Sequence, residues 1–175
     1  IMLPDISHLI KKLDSLGYVV EEEFATILLL MLKLKKPLLL EGPPGVGKTE
    51  ASQIIASYLN TKLIRLQCYE GLDVNSAIYE WNYQKQLLSI KLAESSALSS
   101  AEKESYIFGD EFLLKRPLLQ AITESDKAPV LLIDEIDRAD EEFEAFLLEL
   151  LSAYQISIPE MGTIKANHIP HVVLT

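Results

Sequence analysis

Leu38-Leu39-Leu40-Glu41-Gly42-Pro43-Pro44-Gly45-Val46-Gly47-Lys48-Thr49 joins an apolar strand pattern to a glycine-rich loop and then to a helix, and its reading decides the fold. It satisfies GxxxxGK(S/T) at every required position. Pro37 opens the strand where no ladder donor is needed, and Leu38 to Leu40 read as a strand buried on both faces. In the loop Gly42, Pro43, Pro44, Gly45, Val46 and Gly47 the glycines supply a backbone without Cβ obstruction, and its N–H groups, with the positive end of a helix starting near Lys48, would form a concave site for phosphate oxygens. Lys48 is placed to reach the β- and γ-phosphates, Thr49 to put its hydroxyl on Mg²⁺, and Glu50 follows in the first helical turn. Ala51, Ile54, Ile55, Tyr58 and Leu59 recur at helical spacing and would pack that helix on a sheet. The competing reading, a plain strand-to-helix turn, does not account for the lysine and threonine at fixed offsets.

A second stretch strengthens the first. Val130-Leu131-Leu132-Ile133-Asp134-Glu135-Ile136-Asp137 runs four apolar residues into two carboxylates, a Walker B pattern. In a parallel sheet both strands end on one edge, so Asp134 is expected in the Mg²⁺ shell near Thr49 and Glu135 opposite the γ-phosphate. Phosphoryl transfer needs charge compensation and an aligned nucleophile more than covalent help. Lys48 and Mg²⁺ would supply the compensation, and Glu135 would polarise water as general base. The cofactors these residues lead one to expect are therefore a nucleoside triphosphate and Mg²⁺; that the nucleotide is ATP is implied only by the family resemblance given below.

The 175 residues, 49% hydrophobic, allow one substantial core and a small appendage. Net charge is −10, from 26 acidic against 16 basic residues, and no basic run exceeds Lys33 to Lys36, which argues against nucleic acid as a direct partner. The single cysteine, Cys68, rules out an internal disulfide framework and suits a reducing compartment. Ala25 to Leu32 is too short an apolar run to span a bilayer, and no signal-peptide pattern is visible. A cytoplasmic protein without stable membrane insertion is expected. Both ends look cut, with Val172 to Thr175 reading as a strand in progress, so the sequence is expected to be part of a longer protein.

In chain order, Ile6, Leu9, Ile10, Leu13 and Leu16 predict a helix closed by Gly17. A second helix is predicted from about Glu21 to Lys36, with glutamates first and lysines last, complementing its dipole. No base-contacting residue is legible in the sequence; the turn from Gly17 to Val20 is a candidate for that place. Thr61 to Cys68 reads as another strand, giving a right-handed βαβ unit. Trp81, Tyr83, Leu87, Leu88, Ile90 and Leu92 suggest a helix, Ser95 to Ser105 a turn-like break, and Glu111 to Glu124 a helix that Pro117 kinks or begins. Asp140 caps a helix with the stripe Phe143, Phe146, Leu147, Leu150, Leu151 and Tyr154. Gln155 to Ile158 and Thr163 to Lys165 flank a hairpin turn.

Lesser candidates carry two readings each. Gln67, at a strand end, is either an ordinary polar residue or a hydrogen-bond partner that holds Glu135 from water. Arg138 either contacts a neighbouring subunit or pairs locally with Asp137 or Glu141. His8, His168 and His171 lack metal-ligand spacing. Trp81 and Tyr83 fit core or interface better than a base-stacking platform.

These residues resemble a MoxR-type AAA+ ATPase along nearly the whole chain. GPPGVGKT and LLIDEID mark only the superfamily. Leu63 to Leu88, Glu111 to Ile122 and Asp137 to Ala166 are similar to members encoded beside carbon monoxide dehydrogenase and related molybdenum hydroxylase maturation proteins. The resemblance implies an α/β P-loop NTPase fold, a three-layer α/β/α sandwich whose parallel sheet has the order 5-1-4-3-2, truncated here before its last strand and helical lid. Residues 1–175 would form the large nucleotide-binding subdomain, with 68–128 containing a family-specific helical insertion. It further implies a hexameric ring, a von Willebrand factor A-domain partner and a metalloenzyme client whose cofactor insertion is assisted by ATP hydrolysis. The sensor asparagine and arginine finger would lie beyond Thr175, so this segment alone is expected to be poorly active. Alternatives are a nucleotide-gated interaction module with little turnover and a small-molecule kinase on the same loop; the Asp134-Glu135 pair favours water as acceptor over a kinase's hydroxyl.

Overall fold

A computed structural model of the chain describes residues 5–43, 47–92 and 100–175. Two helices, α1 (Ile6–Ser15) and α2 (Glu22–Leu34), precede the short strand β1 (Leu38–Leu39) and the helix α3 (Lys48–Leu59). Strand β2 (Leu63–Gln67) follows, then α4 (Val74–Ile78), β3 (Tyr79–Trp81), α5 (Tyr83–Leu92), α6 (Ser100–Ile107), β4 (Leu113–Lys115) and α7 (Pro117–Thr123). The chain returns through β5 (Val130–Asp134), α8 (Glu141–Ala153), the hairpin β6 (Gln155–Ile158) and β7 (Gly162–Lys165), and β8 (His171–Leu174).

The central sheet is parallel throughout, in the order β1-β8-β5-β2. Taken as strands one, four, three and two, this is the expected order without its fifth strand. The register aligns Leu66 with Ile133 and Gln67 with Asp134, so β2 and β5 end side by side. β5 is buried along its whole length, as an apolar run in a central parallel strand must be. Its alternate side chains serve two cores. Val130 and Leu132 join Val173 beneath α1, α2 and α3, where Leu9, Leu13, Leu28 and Ile55 are packed. Leu131 and Ile133 face the other way, among Leu118, Leu119 and Ile122 of α7, Phe143 and Leu147 of α8, and Ile156 and Ile158 of the hairpin. The result is three layers, with helices on both faces of the sheet.

Several expectations need correction. Leu39 is 54% exposed rather than buried, because β1 is an edge strand paired only with β8 among the described residues. Trp81 is not helical: it ends β3, which pairs antiparallel with β4 across Tyr79–Lys115 and Trp81–Leu113. Glu111 to Lys115 is likewise not helix but a short 3₁₀ turn and a strand, and Pro117 starts α7 at its first turn instead of kinking a longer helix. Of the region read as a break, Ser95 to Ser105, residues 95–99 lie outside the described residues, whereas 100–105 fall within the helix Ser100–Ile107. Leu87, Leu88, Ile90 and Leu92 do lie on a helix, yet they are exposed and α5 buries only Gln86, whose amide donates to the Ile107 carbonyl at 2.7 Å. Among the described residues, no helix is long and apolar enough to cross a membrane.

Candidate functional site

Two glycines with positive φ stand on either side of residues 44–46, between β1 and α3. Gly42 has φ 152° and Gly47 has φ 85°, the latter in the left-handed region that a residue with a Cβ resists. Pro44, Gly45 and Val46 lie outside the described residues. Among the described residues no side chain caps the first turn of α3, which leaves its leading N–H groups to an anion at the positive end of a twelve-residue helix. Lys48 folds back over the loop, its Nζ donating to the Gly42 carbonyl at 2.5 Å. Glu50 is exposed on the same turn.

Thr49 points along the sheet edge to the end of β5. Its hydroxyl lies 3.5 Å from Asp134 Oδ2, joining residues 85 positions apart. Asp134 is only 5% exposed, and both its oxygens are engaged. The Thr175 hydroxyl donates to Oδ1, while Arg65 Nε and Nη2 both donate to Oδ2, at 3.0 and 2.5 Å. Burial alone would raise the carboxyl pKa; the hydrogen bonds from Thr175 and Arg65, the Arg65 charge and the Thr49 contact outweigh it and hold the group below its ordinary value. Asp134 is thus an anion presented to Thr49.

Glu135 follows with φ 56°, an uncommon conformation for a non-glycine residue, which turns the chain out of the strand. Thr175 anchors this turn: its hydroxyl accepts the Glu135 N–H at 3.2 Å and its carbonyl accepts the Ile136 N–H at 2.9 Å. The Glu135 carboxylate is about half exposed and pairs with Arg138 Nε at 2.8 Å. Arg138 therefore has a local partner, but it is Glu135 rather than Asp137 or Glu141. Gln67 does not reach Glu135: its Oε1 accepts Arg65 Nη2 and its Nε2 donates to the Cys68 carbonyl. Cys68 is buried beside these acids, and burial, then the charges of Asp134, Asp137 and Glu135, push its thiol up to about 11, so it is no nucleophile at neutral pH.

Arg65 is the site residue that the sequence motifs did not reveal. A signal exists: it is the one charge inside the otherwise apolar Leu63–Ile64–Arg65–Leu66, two residues before Gln67 and so on the same face of β2. Only the β2–β5 register shows that this face meets Asp134.

Beside the loop lies a cavity of about 360 Å³. Val20, Phe24 and Ile54 give it an apolar wall, with Val19 and Glu21 at the α1–α2 connection and Gly47 and Lys48 opposite. Val19 and Val20, from the candidate turn, thus share a cavity with Gly47 and Lys48 of the glycine-rich stretch. His168 and His171 do not form a joint site: the first meets the Ser125 carbonyl at 3.3 Å, and the second starts β8.

Residues 37–170 match the family of AAA domains, dynein-related subfamily. The chain belongs to this family. Among solved structures, an inferred ATPase of Cytophaga hutchinsonii is similar at 20% identity and a TM-score of 0.58, over 97% of this chain and 42% of that one. A RuvB variant of Thermotoga maritima aligns at 21% identity and a TM-score of 0.48, over 93% of this chain and 40% of its own. The AAA domain therefore spans about two-fifths of the length of the solved structures it matches.

Proposed function

We propose that this AAA domain binds Mg²⁺–ATP and hydrolyses its γ-phosphate. The observation that carries the reading is the approach of Thr49 to Asp134, from opposite halves of the chain, at the open end of an uncapped helix. A hydroxyl and a buried carboxylate are hard oxygen donors of the kind Mg²⁺ takes while keeping several waters. Thr49 and Asp134 would hold the ion, which when bound offsets charge on the phosphate oxygens. Lys48 exchanges the Gly42 carbonyl for phosphate, the loop and α3 N–H groups receive the remaining oxygens, and the apolar cavity at Val20, Phe24 and Ile54 accepts the base. Glu135 leaves Arg138 to orient and deprotonate the attacking water. In the intact protein, Lys48→Ala should weaken nucleotide binding at least tenfold, on the order of one charge-assisted contact. Glu135→Gln should retain binding and lose about a hundredfold or more in turnover. Unchanged turnover in Glu135→Gln would overturn the assignment of the base.

A second reading is favoured by the Glu135–Arg138 pair: with its base held, the domain would be a nucleotide-gated interaction module with little turnover. That module would keep its partner-dependent function in Glu135→Gln, whereas a hydrolysis-driven protein would lose it. At finer grain, the MoxR-like segments Leu63 to Leu88, Glu111 to Ile122 and Asp137 to Ala166 support a cytoplasmic chaperone that matures a metalloenzyme. It would act as a homo-oligomeric, hexameric ring with an A-domain protein, and the elements within 68–128 would form its family-specific insertion. Co-purification of the intact protein tests this, and recovery without either partner class counts against it.

A further inference from the structure

We infer that Arg65 is a built-in counter-cation of Asp134, which competes with the divalent ion for one carboxylate oxygen and must yield when metal and nucleotide arrive. The inference rests on the Mg²⁺–ATP reading above. Oδ1 of Asp134 is held by the Thr175 hydroxyl, so Oδ2 is the oxygen facing Thr49. That same Oδ2 receives both Arg65 donors. A cation bridging Thr49 and Asp134 therefore meets a guanidinium on its own ligand. Like charges on one oxygen repel, and a carboxylate oxygen has too few lone pairs for Nε, Nη2, the threonine and a metal together.

The arginine is built to be displaced. Both of its bonds converge on one oxygen, so the pair lacks the two-oxygen fork that makes arginine–carboxylate contacts strong. Its side chain is 53% exposed against 8% for Asp134, and Gln67 Oε1 holds Nη2 from outside the pair. On leaving Oδ2, the guanidinium stays hydrated and keeps Gln67. Before metal binds, it neutralises a buried carboxylate; after metal binds, the ion takes over that role. Arg65 is thus a positioning residue that makes Asp134 available only to a cation strong enough to replace it.

Mn²⁺ is the probe, with the free ion counted by electron paramagnetic resonance, for the intact protein alone and with ADP. Arg65→Met should bind Mn²⁺ about tenfold more tightly than wild type in both conditions, through relief of charge repulsion. Arg65→Lys, which keeps the cation, should stay within about threefold of wild type. Equal or weaker Mn²⁺ binding by Arg65→Met, or equal tightening in Arg65→Lys, would overturn the inference. Should Arg65→Met fail to fold, the wild-type Arg65 Nε–H resonance decides: it should move upfield as Mn²⁺'s diamagnetic analogue Mg²⁺ is added with ADP, and an unmoved resonance at saturation refutes displacement. Absence of ADP binding with or without metal would instead sink the nucleotide reading, and the Mn²⁺ comparison on the protein alone would still decide the role of Arg65.

Discussion

Breaking the Arg65–Asp134 pair from its two ends should cost unequal amounts of stability, because the partners sit in different surroundings. The Asp134 side chain is 8% exposed and the Arg65 side chain 53%. Arg65→Met leaves a buried carboxylate with only the Thr175 and Thr49 hydroxyls to solvate it. Loss of one partner from a fully buried pair costs about 3–5 kcal/mol. Two remaining hydroxyls and an arginine already half in water reduce this to about 1–3 kcal/mol. Asp134→Asn leaves the arginine in water beside Gln67 and places a neutral side chain where a charge was desolvated, at a cost of about 0–1 kcal/mol. Urea unfolding in buffer with EDTA reads both, and the difference of about 1–2 kcal/mol shifts the melting temperature by several degrees in a domain of this size. The reasoning is refuted if Asp134→Asn is as costly as Arg65→Met. The methionine variant should therefore be less stable without metal yet tighter for metal, opposite signs that a purely structural arginine would not give.

Three further residues carry expected outcomes of their own. Asp140 Oδ1 accepts the Phe143 N–H at 2.9 Å, so Asp140→Ala should destabilise α8 by about 1 kcal/mol, visible in urea unfolding. His171 is held below its ordinary 6.5, first by burial and then by the Lys35 charge. Its folded state favours the neutral ring, so this contribution is complete above pH 6.5 and is lost as pH falls through the folded pKa; His171→Gln should flatten the stability profile there. In Gly47→Ala the added Cβ makes only ordinary contact with Glu50, whose Oε2 lies 3.5 Å away, but φ 85° costs about 1 kcal/mol in folding and should show as a lower melting temperature.

The elements that position the site were legible because their signals are local and long. β5 is an uninterrupted apolar run, α3 follows a loop of fixed glycine spacing, and Asp140 precedes α8 at the capping offset. Three-residue strands carry no period to read, so the pattern predicts helix where Trp81 ends a strand whose partner Leu113 lies far along the chain. Apolar content predicted a helix at Leu87 to Leu92 correctly but not its exposure, which depends on what the tertiary structure places opposite. The two readings open for Gln67 and for Arg138 are decided only by the structure, because strand ends and helix entries bring several polar groups within reach and side-chain direction chooses among them. Arg65 stands out in sequence as a charge among apolar residues, but its partner Asp134 is set by the β2–β5 register.

The central claim is that Thr49 and Asp134 act as one metal-holding unit, and a double-mutant cycle tests it most directly. Calorimetry of ATP binding with and without Mg²⁺ would compare Thr49→Ala, Asp134→Ala and the pair in the intact protein. Shared work predicts that the double variant loses scarcely more Mg²⁺-dependent affinity than the worse single one, a coupling of about 1 kcal/mol or more. Losses that add within about 0.5 kcal/mol would contradict the account.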